Sequence, residues 1–278
     1  MPCFSPLSGW RQPSGSVVLG ARGESQATES IRIPCGRCVG CRLRRARDWS
    51  IRCGLELSVH DRACWATLTY DEKFVPVTLS RSHLSGFLKR LRSRVSPLRF
   101  RFFGCGEYGE RYGRPHYHVI LFGLSQFDHS QVISESWPLG FVRVDPISPR
   151  SIAYVCGYTV KKAAALREDK EERLDVATGE LYRYQPPFLQ MSRNPGIAGY
   201  HRGTYWRSWR DSAIVDGRKV PVPAYLHKAW LACASEADVQ ALHLERESWR
   251  QQSVQELLAG AADAVTRLEH SSSRRKQL

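Results

Sequence analysis

The chain has no run of about 18 apolar residues, so no helical membrane span is expected. Its first twenty residues hold no basic segment leading into an apolar stretch, so no secretory signal is expected, and the protein is read as acting in the cytoplasm of the cell that makes it. A Gly-x-x-x-x-Gly-Lys-Ser/Thr stretch is missing too, which excludes a recognisable P-loop motor. Negative charge is scarce: 27 Asp and Glu stand against 41 Lys and Arg, for a net charge of +14. That excess predicts a polyanionic partner, because each phosphate neutralised by Lys or Arg releases a counterion; a merely solvated basic surface is the plain alternative. Nine cysteines, an odd number in a reducing compartment, argue against a disulfide framework and, where clustered, for metal.

Along the 278 residues, positions 1–34 are Gly/Ser-rich and weakly patterned and read as a loop or arm. Residues 41–59 place Leu43, Ala46, Trp49, Ile51, Leu55 and Leu57 among Arg42, Arg44, Arg45, Arg47 and Arg52, a basic helix with one face for packing and the other for phosphate or solvent. Alternation from Cys64 to Tyr70 predicts a strand. Leu84, Phe87, Leu88 and Leu91 predict an amphipathic helix over Ser80–Val95. Strands are expected near 99–107 and 116–123, a short one at Phe141–Val144, and a helix from Pro149 to Leu166. The order β-α-β-β-(α)-β-α is a split βαβ pattern, hence α+β: an antiparallel sheet with helices on one face. Residues 1–60 then hold the arm, the Cys-rich element and the basic helix, 61–166 the core, and 167–184 a charged linker without core residues. An aromatic and basic accessory region with a C-terminal helix fills 185–278, the helix running from Ser235 to about Leu268 with Ser235 and Asp238 as a capping-box relative.

Within that core, Arg114-Pro115-His116-Tyr117-His118 opens an apolar strand. Successive strand side chains alternate faces, so His116 and His118 point one way and Tyr117 the other. Glu107 ends the preceding strand, and the Gly/Arg-rich run 109–114 reads as the hairpin turn that brings it beside the histidines as a third ligand. Downstream, Tyr154 and Tyr158 stand four apart in a helix and share one face, with Lys161 and Lys162 one turn on. The alternatives at this stage are two polar residues on an exposed sheet face, two aromatics packing a helix, or the facial triad of a non-haem iron oxygenase.

The His-Tyr-His segment resembles the site of the HUH endonucleases, and the chain is similar to the replication initiators of the microviruses, most closely their gokushovirus branch. That resemblance rests on Pro34-Cys35-Gly36-Arg37-Cys38-Val39-Gly40-Cys41-Arg42, Thr67-Leu68-Thr69-Tyr70, Gly106-Glu107-Tyr108-Gly109-Glu110, Arg114 to His118, the tyrosine pair with its lysines, and Met191-Ser192-Arg193-Asn194-Pro195-Gly196-Ile197. It implies an HUH/Rep-type, RRM-like fold, with Mg²⁺ or Mn²⁺ held by His116, His118 and Glu107. It also implies nicking of origin DNA through a 5′-phosphotyrosine by Tyr154 and Tyr158 in alternation, and rejoining of the strand, in rolling-circle replication of a small single-stranded-DNA phage. Gly157 stands where some relatives carry Lys, so the phosphate-orienting role goes to Lys161 or Lys162. Without a P-loop, the host's helicase and DNA polymerase are the expected partners in the host cytoplasm, and no membrane is.

Cys35-x-x-Cys38-x-x-Cys41 brings three thiolates toward one ion, with Cys53 and Cys3 as candidates for the fourth ligand of a structural Zn²⁺. An iron–sulfur cluster and unliganded buried thiols are the alternatives. Arg42, Arg44, Arg45, Arg47 and Arg114 are the candidate DNA contacts. Rival functions are a transposase or relaxase with the same site, and a non-catalytic zinc-containing DNA-binding protein.

Overall fold

The computed structural model describes residues 3–12, 16–19, 29–165, 172–175, 178–201, 212–215 and 218–250. The chain divides into two compact units, Met1–Arg44 with Ser235–Leu278, and Arg45–Ala234. In the first, β1 (Leu7–Arg11) pairs antiparallel with β2 (Val17–Leu19) and β3 (Glu29–Ile33). The expectation of a loop or arm over residues 1–34 is therefore corrected, within the described residues, to a small sheet. Its signal was hidden because Leu7, Val17, Val18 and Leu19 stay exposed, so no alternation of buried and polar residues marks the strands.

Helix α1 (Val39–Leu57) crosses from the first unit into the second. There follow β4 (Ala63–Tyr70), a 3₁₀ turn at Glu72–Phe74, α2 (Arg81–Val95), β5 (Arg101–Tyr108), β6 (Pro115–Phe122), α3 (Gln126–Glu135), β7 (Gly140–Pro146) and α4 (Pro149–Ala165). Beyond them lie β8 (Glu172–Leu174), β9 (Leu181–Arg183), β10 (Phe188–Met191), β11 (Ser212–Val215), β12 (Arg218–Pro221) and α5 (Ala224–Leu231). The last described helix, α6 (Glu236–Arg250), belongs to the first unit; Ser235 Oγ receives the Asp238 amide at 3.2 Å, the cap read from the sequence.

The chain is α+β around a five-stranded antiparallel sheet, ordered β10-β5-β6-β4-β7. β4, α2 and β5 form a βαβ unit with β6 inserted between its strands, the split arrangement expected. Period two sorts the side chains. Cys64, Ala66, Leu68, Tyr117, Val119 and Leu121 face one way, against Leu84, Phe87, Leu88 and Leu91 of α2 and Ile133 of α3. The other face carries Phe103, Cys105, Ile120 and Phe122 and packs Ile152, Val155 and Cys156 of α4 with Cys53 of α1. Helices thus cover both faces, where one was expected, because residues 49–57 of α1 turn their apolar stripe to the sheet.

Two buried polar clusters hold these layers in place. The Tyr117 hydroxyl accepts from the Ser80 amide at 3.1 Å and donates to the Ser80 carbonyl at 2.9 Å, tying β6 to the N-cap of α2. On the other face, the buried Glu56 carboxylate pairs with Arg101 and accepts from the Ala198 amide at 2.6 Å, while Arg52 donates to the Ile197 carbonyl at 3.1 Å. These groups clamp Ile197 and Ala198 in the segment that follows β10. The linker expected at 167–184 carries the β8–β9 hairpin within its described part, followed by buried Tyr184 stacked on Tyr108 with ring centroids 5.2 Å apart.

Candidate active site

The β5–β6 hairpin sets the site by register: Glu107 lies opposite His116, and Cys105 opposite His118. Directly opposite residues on one sheet face stand about 5 Å apart at Cβ, close enough for side chains to meet. The turn that fixes this register closes with the Gly109 amide donating to the Arg114 carbonyl at 2.9 Å, and Gly113 takes a φ of 62°, which a side chain would resist. His116 Nε2 then lies 2.7 Å, and His118 Nε2 3.3 Å, from the same Glu107 oxygen. All three groups present ligand atoms within 4.8 Å of one another.

The rings are held from behind. His116 Nδ1 is 3.1 Å from the Arg114 carbonyl, which can only accept, so Nδ1 carries a proton and Nε2 is the ring atom turned toward Glu107. Thr67 Oγ1 of β4 sits 3.1 Å from His118 Nδ1. A lone pair facing a carboxylate oxygen at 2.7 Å is repulsive unless a proton or a cation lies between them. Two imidazoles and one carboxylate, oriented by second partners and with an open side, suit a divalent cation that must also take a substrate oxygen.

That open side is a cleft of about 770 Å³ lined by Thr67, Thr69, Arg111, Arg114, His116, His118 and Tyr154, among others. Tyr154, 40% exposed, sets its ring edge-on to His118 at 5.7 Å and to Trp65 at 5.9 Å. Its position follows from α4: Ile152, Val155 and Cys156 are buried against the sheet, which leaves Tyr154 at the helix border beside the histidines. Tyr158 comes one turn later in the same helix; its side chain, with those of Lys161 and Lys162, lies outside the described residues.

Of the candidate DNA contacts, Arg44, Arg45 and Arg47 are exposed on α1 and Arg42 is half-buried there. Arg114 borders the cleft, where it pairs with Glu72 and donates to the Tyr70 carbonyl at 3.2 Å. Arg52 leaves the phosphate-facing set: it is buried, its guanidinium 4.0 Å from the Trp49 ring and 4.3 Å from the Tyr225 ring. Cys53 is likewise corrected as a metal ligand, being fully buried with its sulfur 3.9 Å from that of Cys156, while Cys3 joins Cys35, Cys38 and Cys41. The sequence reading also passed over Tyr112 and Phe141, two strongly exposed aromatics that line the cleft. A large apolar ring in a turn or at a sheet edge beside charged residues was the available signal.

Comparison with known proteins bears on this stretch. Residues 63–163, from β4 into α4, match the family model described as Replication-associated protein ORF2/G2P. The chain is 28% identical over 224 residues to the replication-associated protein ORF2 of Spiroplasma virus 4, covering 70% of this chain and 67% of that one. It is 25% identical over 250 residues to the replication-associated protein VP4 of Bdellovibrio phage phiMH2K, covering 81% and 76%. Replication-associated protein ORF4 of Chlamydia phage 1 is 27% identical over 197 residues, covering 59% and 49%. No solved structure matches the chain.

Proposed function

We propose that this chain is the replication-associated protein of a small single-stranded-DNA phage, acting as a metal-dependent HUH-type endonuclease and strand transferase at the origin of rolling-circle replication. The observation that carries the reading is the Glu107–His116–His118 group, whose two histidines line one cleft with Tyr154 in a basic protein. The likeness to three phage replication-associated proteins supports the process, and the site geometry supports the reaction.

Bound Mg²⁺ or Mn²⁺ would polarise a non-bridging oxygen of the scissile phosphate. Glu107 supplies charge to hold it, while the Arg114 carbonyl and Thr67 keep both imidazoles aimed at it. The Tyr154 phenol attacks phosphorus; a Tyr–O–P bond forms as the bond from phosphorus to the 3′ oxygen breaks, and the phenolic proton is made up on the departing 3′-hydroxyl. One phosphodiester replaces another, so the bond energy is kept for rejoining, and the free 3′ end is a primer. Tyr158, one turn along, is the second nucleophile that attacks the regenerated junction, with Lys161 or Lys162 orienting the phosphate. Tyr112 and Phe141 offer stacking faces for the unpaired bases on either side, a contact that suits single strands of any sequence. Host helicase and polymerase then extend from the 3′ end in the host cytoplasm.

Incubating the protein with Mn²⁺ and labelled single-stranded oligonucleotides tiled across the phage origin tests this. A covalent adduct is expected, mapped by mass spectrometry to Tyr154 or Tyr158, kept in each single Tyr→Phe variant with circle closure impaired, and absent from the double variant. Cleavage without any adduct, or an adduct persisting in the double variant, would overturn the tyrosine mechanism.

A further inference from the structure

In the N-terminal unit, the sulfurs of Cys3, Cys35, Cys38 and Cys41 all lie within 4.8 Å of one another, and none is in a disulfide. Cys3 Sγ is 3.5 Å from Cys35 Sγ and 3.7 Å from Cys38 Sγ. Four sulfurs at about 2.3 Å from one tetrahedral ion are spaced by about 3.8 Å. The separations are therefore those of ligands around a single centre. Iron–sulfur clusters, which the Cys-x-x-Cys-x-x-Cys spacing also allows, spread their four cysteines over two or four irons, so that the four sulfurs do not all lie around a single centre.

The backbone is shaped for thiolates. Gly36 takes a φ of 73°, and the turn it makes aims the Arg37 and Cys38 amides at Cys35 Sγ, at 3.5 and 3.3 Å, while the Cys35 amide reaches Cys3 Sγ at 3.3 Å. Four cysteine sulfurs at this spacing, once deprotonated, are held together by a cation between them. The Arg44 guanidinium, 4.0 Å from Cys41 Sγ, offsets part of the remaining negative charge.

We infer that Cys3, Cys35, Cys38 and Cys41 form a closed, structural Zn(Cys)₄ site that shares no ligand with the Glu107–His116–His118 group. Soft thiolates in a tetrahedron select zinc over the hard cations suited to the carboxylate-containing site, and four protein ligands leave no position for substrate. The fold needs it there. The β1–β2–β3 sheet leaves Leu7, Val17, Val18 and Leu19 exposed, and a sheet with so little core draws its stability from a metal that fastens residue 3 to the turn at residue 35.

Elemental analysis of the full-length protein after dialysis against a chelator should find one zinc per chain. Cobalt exchanged into the site should show the d–d bands of a tetrahedral centre with sulfur-to-cobalt charge transfer. The zinc should persist in Cys53→Ala and in the His116→Ala/His118→Ala double variant, and be lost in Cys3→Ser. A cobalt spectrum without thiolate charge transfer, iron in place of zinc, or stoichiometric zinc in Cys3→Ser would each overturn the assignment. Should Cys3→Ser fail to fold, the wild-type cobalt spectrum decides alone.

Discussion

Replacing Glu107 by Gln removes the one charged ligand of the Glu107–His116–His118 group while keeping its shape. Glu107 is buried with an oxygen 2.7 Å from His116 Nε2. A Gln amide can donate to that nitrogen or accept from it, so the metal-free fold should survive the change. The metal-bound state should not. An ion that binds only the folded protein stabilises it by about 2.7 kcal/mol at a hundred times its Kd. At about 2–4 °C per kcal/mol for a folding unit of this size, saturating Mn²⁺ should raise the wild-type Tm by about 5–11 °C. If Gln weakens binding about a hundredfold, the same Mn²⁺ stands near Kd, leaving about 0.4 kcal/mol and a rise of about 1–2 °C. Calorimetry with and without Mn²⁺ reads both numbers, and nicking should fall in parallel. Acid should erase the wild-type rise, since imidazole must be neutral to bind. A wild-type Tm indifferent to millimolar Mn²⁺, or an equal rise in Glu107→Gln, would refute the ligand assignment.

Neutralising exposed Arg44, Arg45 and Arg47 together should flatten the dependence of log affinity on log salt for single strands by about 2, at about 0.7 per phosphate contact, as read by fluorescence anisotropy. Arg52→Ala should leave that slope alone and lower stability instead; an unchanged slope in the triple variant would take α1 off the DNA. Glu56→Ala leaves the half-buried Arg101 without its carboxylate and the Ala198 amide without its acceptor, so denaturant unfolding should show a loss of about 2–4 kcal/mol. A loss below about 1 kcal/mol would mean that the segment that follows β10 is held by other contacts.

What could be read from the sequence was local and periodic. Alternation in β4 and β6, the 84/87/88/91 stripe of α2 and the glycines of the 109–114 turn each report on a few neighbouring residues, and together they brought Glu107 beside His116 and His118. Features that depend on distant partners were not visible. Arg52 looks like part of a basic helix face until Ile197, 145 residues away, accepts its hydrogen bonds. Cys53 was read, with Cys3, as a candidate fourth zinc ligand. Cys41 and Cys53 both fall in α1, however, where twelve residues of helix rise about 18 Å, too far to share an ion. Cys3 qualifies because the strand pairs between it and Cys35 return the chain to its starting point, and exposed short strands carry no pattern that announces this.

The division of β6 between its two faces explains why ligand placement and core packing cannot vary independently. Tyr117, Val119 and Leu121 anchor one face to α2, and the Tyr117 hydroxyl fixes the strand against Ser80. The other face changes character along its length: Ile120 and Phe122 lie under α4 and the C-terminal part of α1, whereas His116 and His118 emerge where that cover ends. Tyr154 stands at this border because the same helix turn that buries Ile152 and Val155 leaves it facing the cleft. A slip of one residue in the β5–β6 register would carry Glu107 away from His116 and, in the same movement, disturb the pairing of Gly106 with Tyr117 and of Cys105 with His118. The length of the 109–114 turn is therefore set by the core as strictly as by the chemistry, and the ligands inherit their geometry from packing on the opposite side of the sheet.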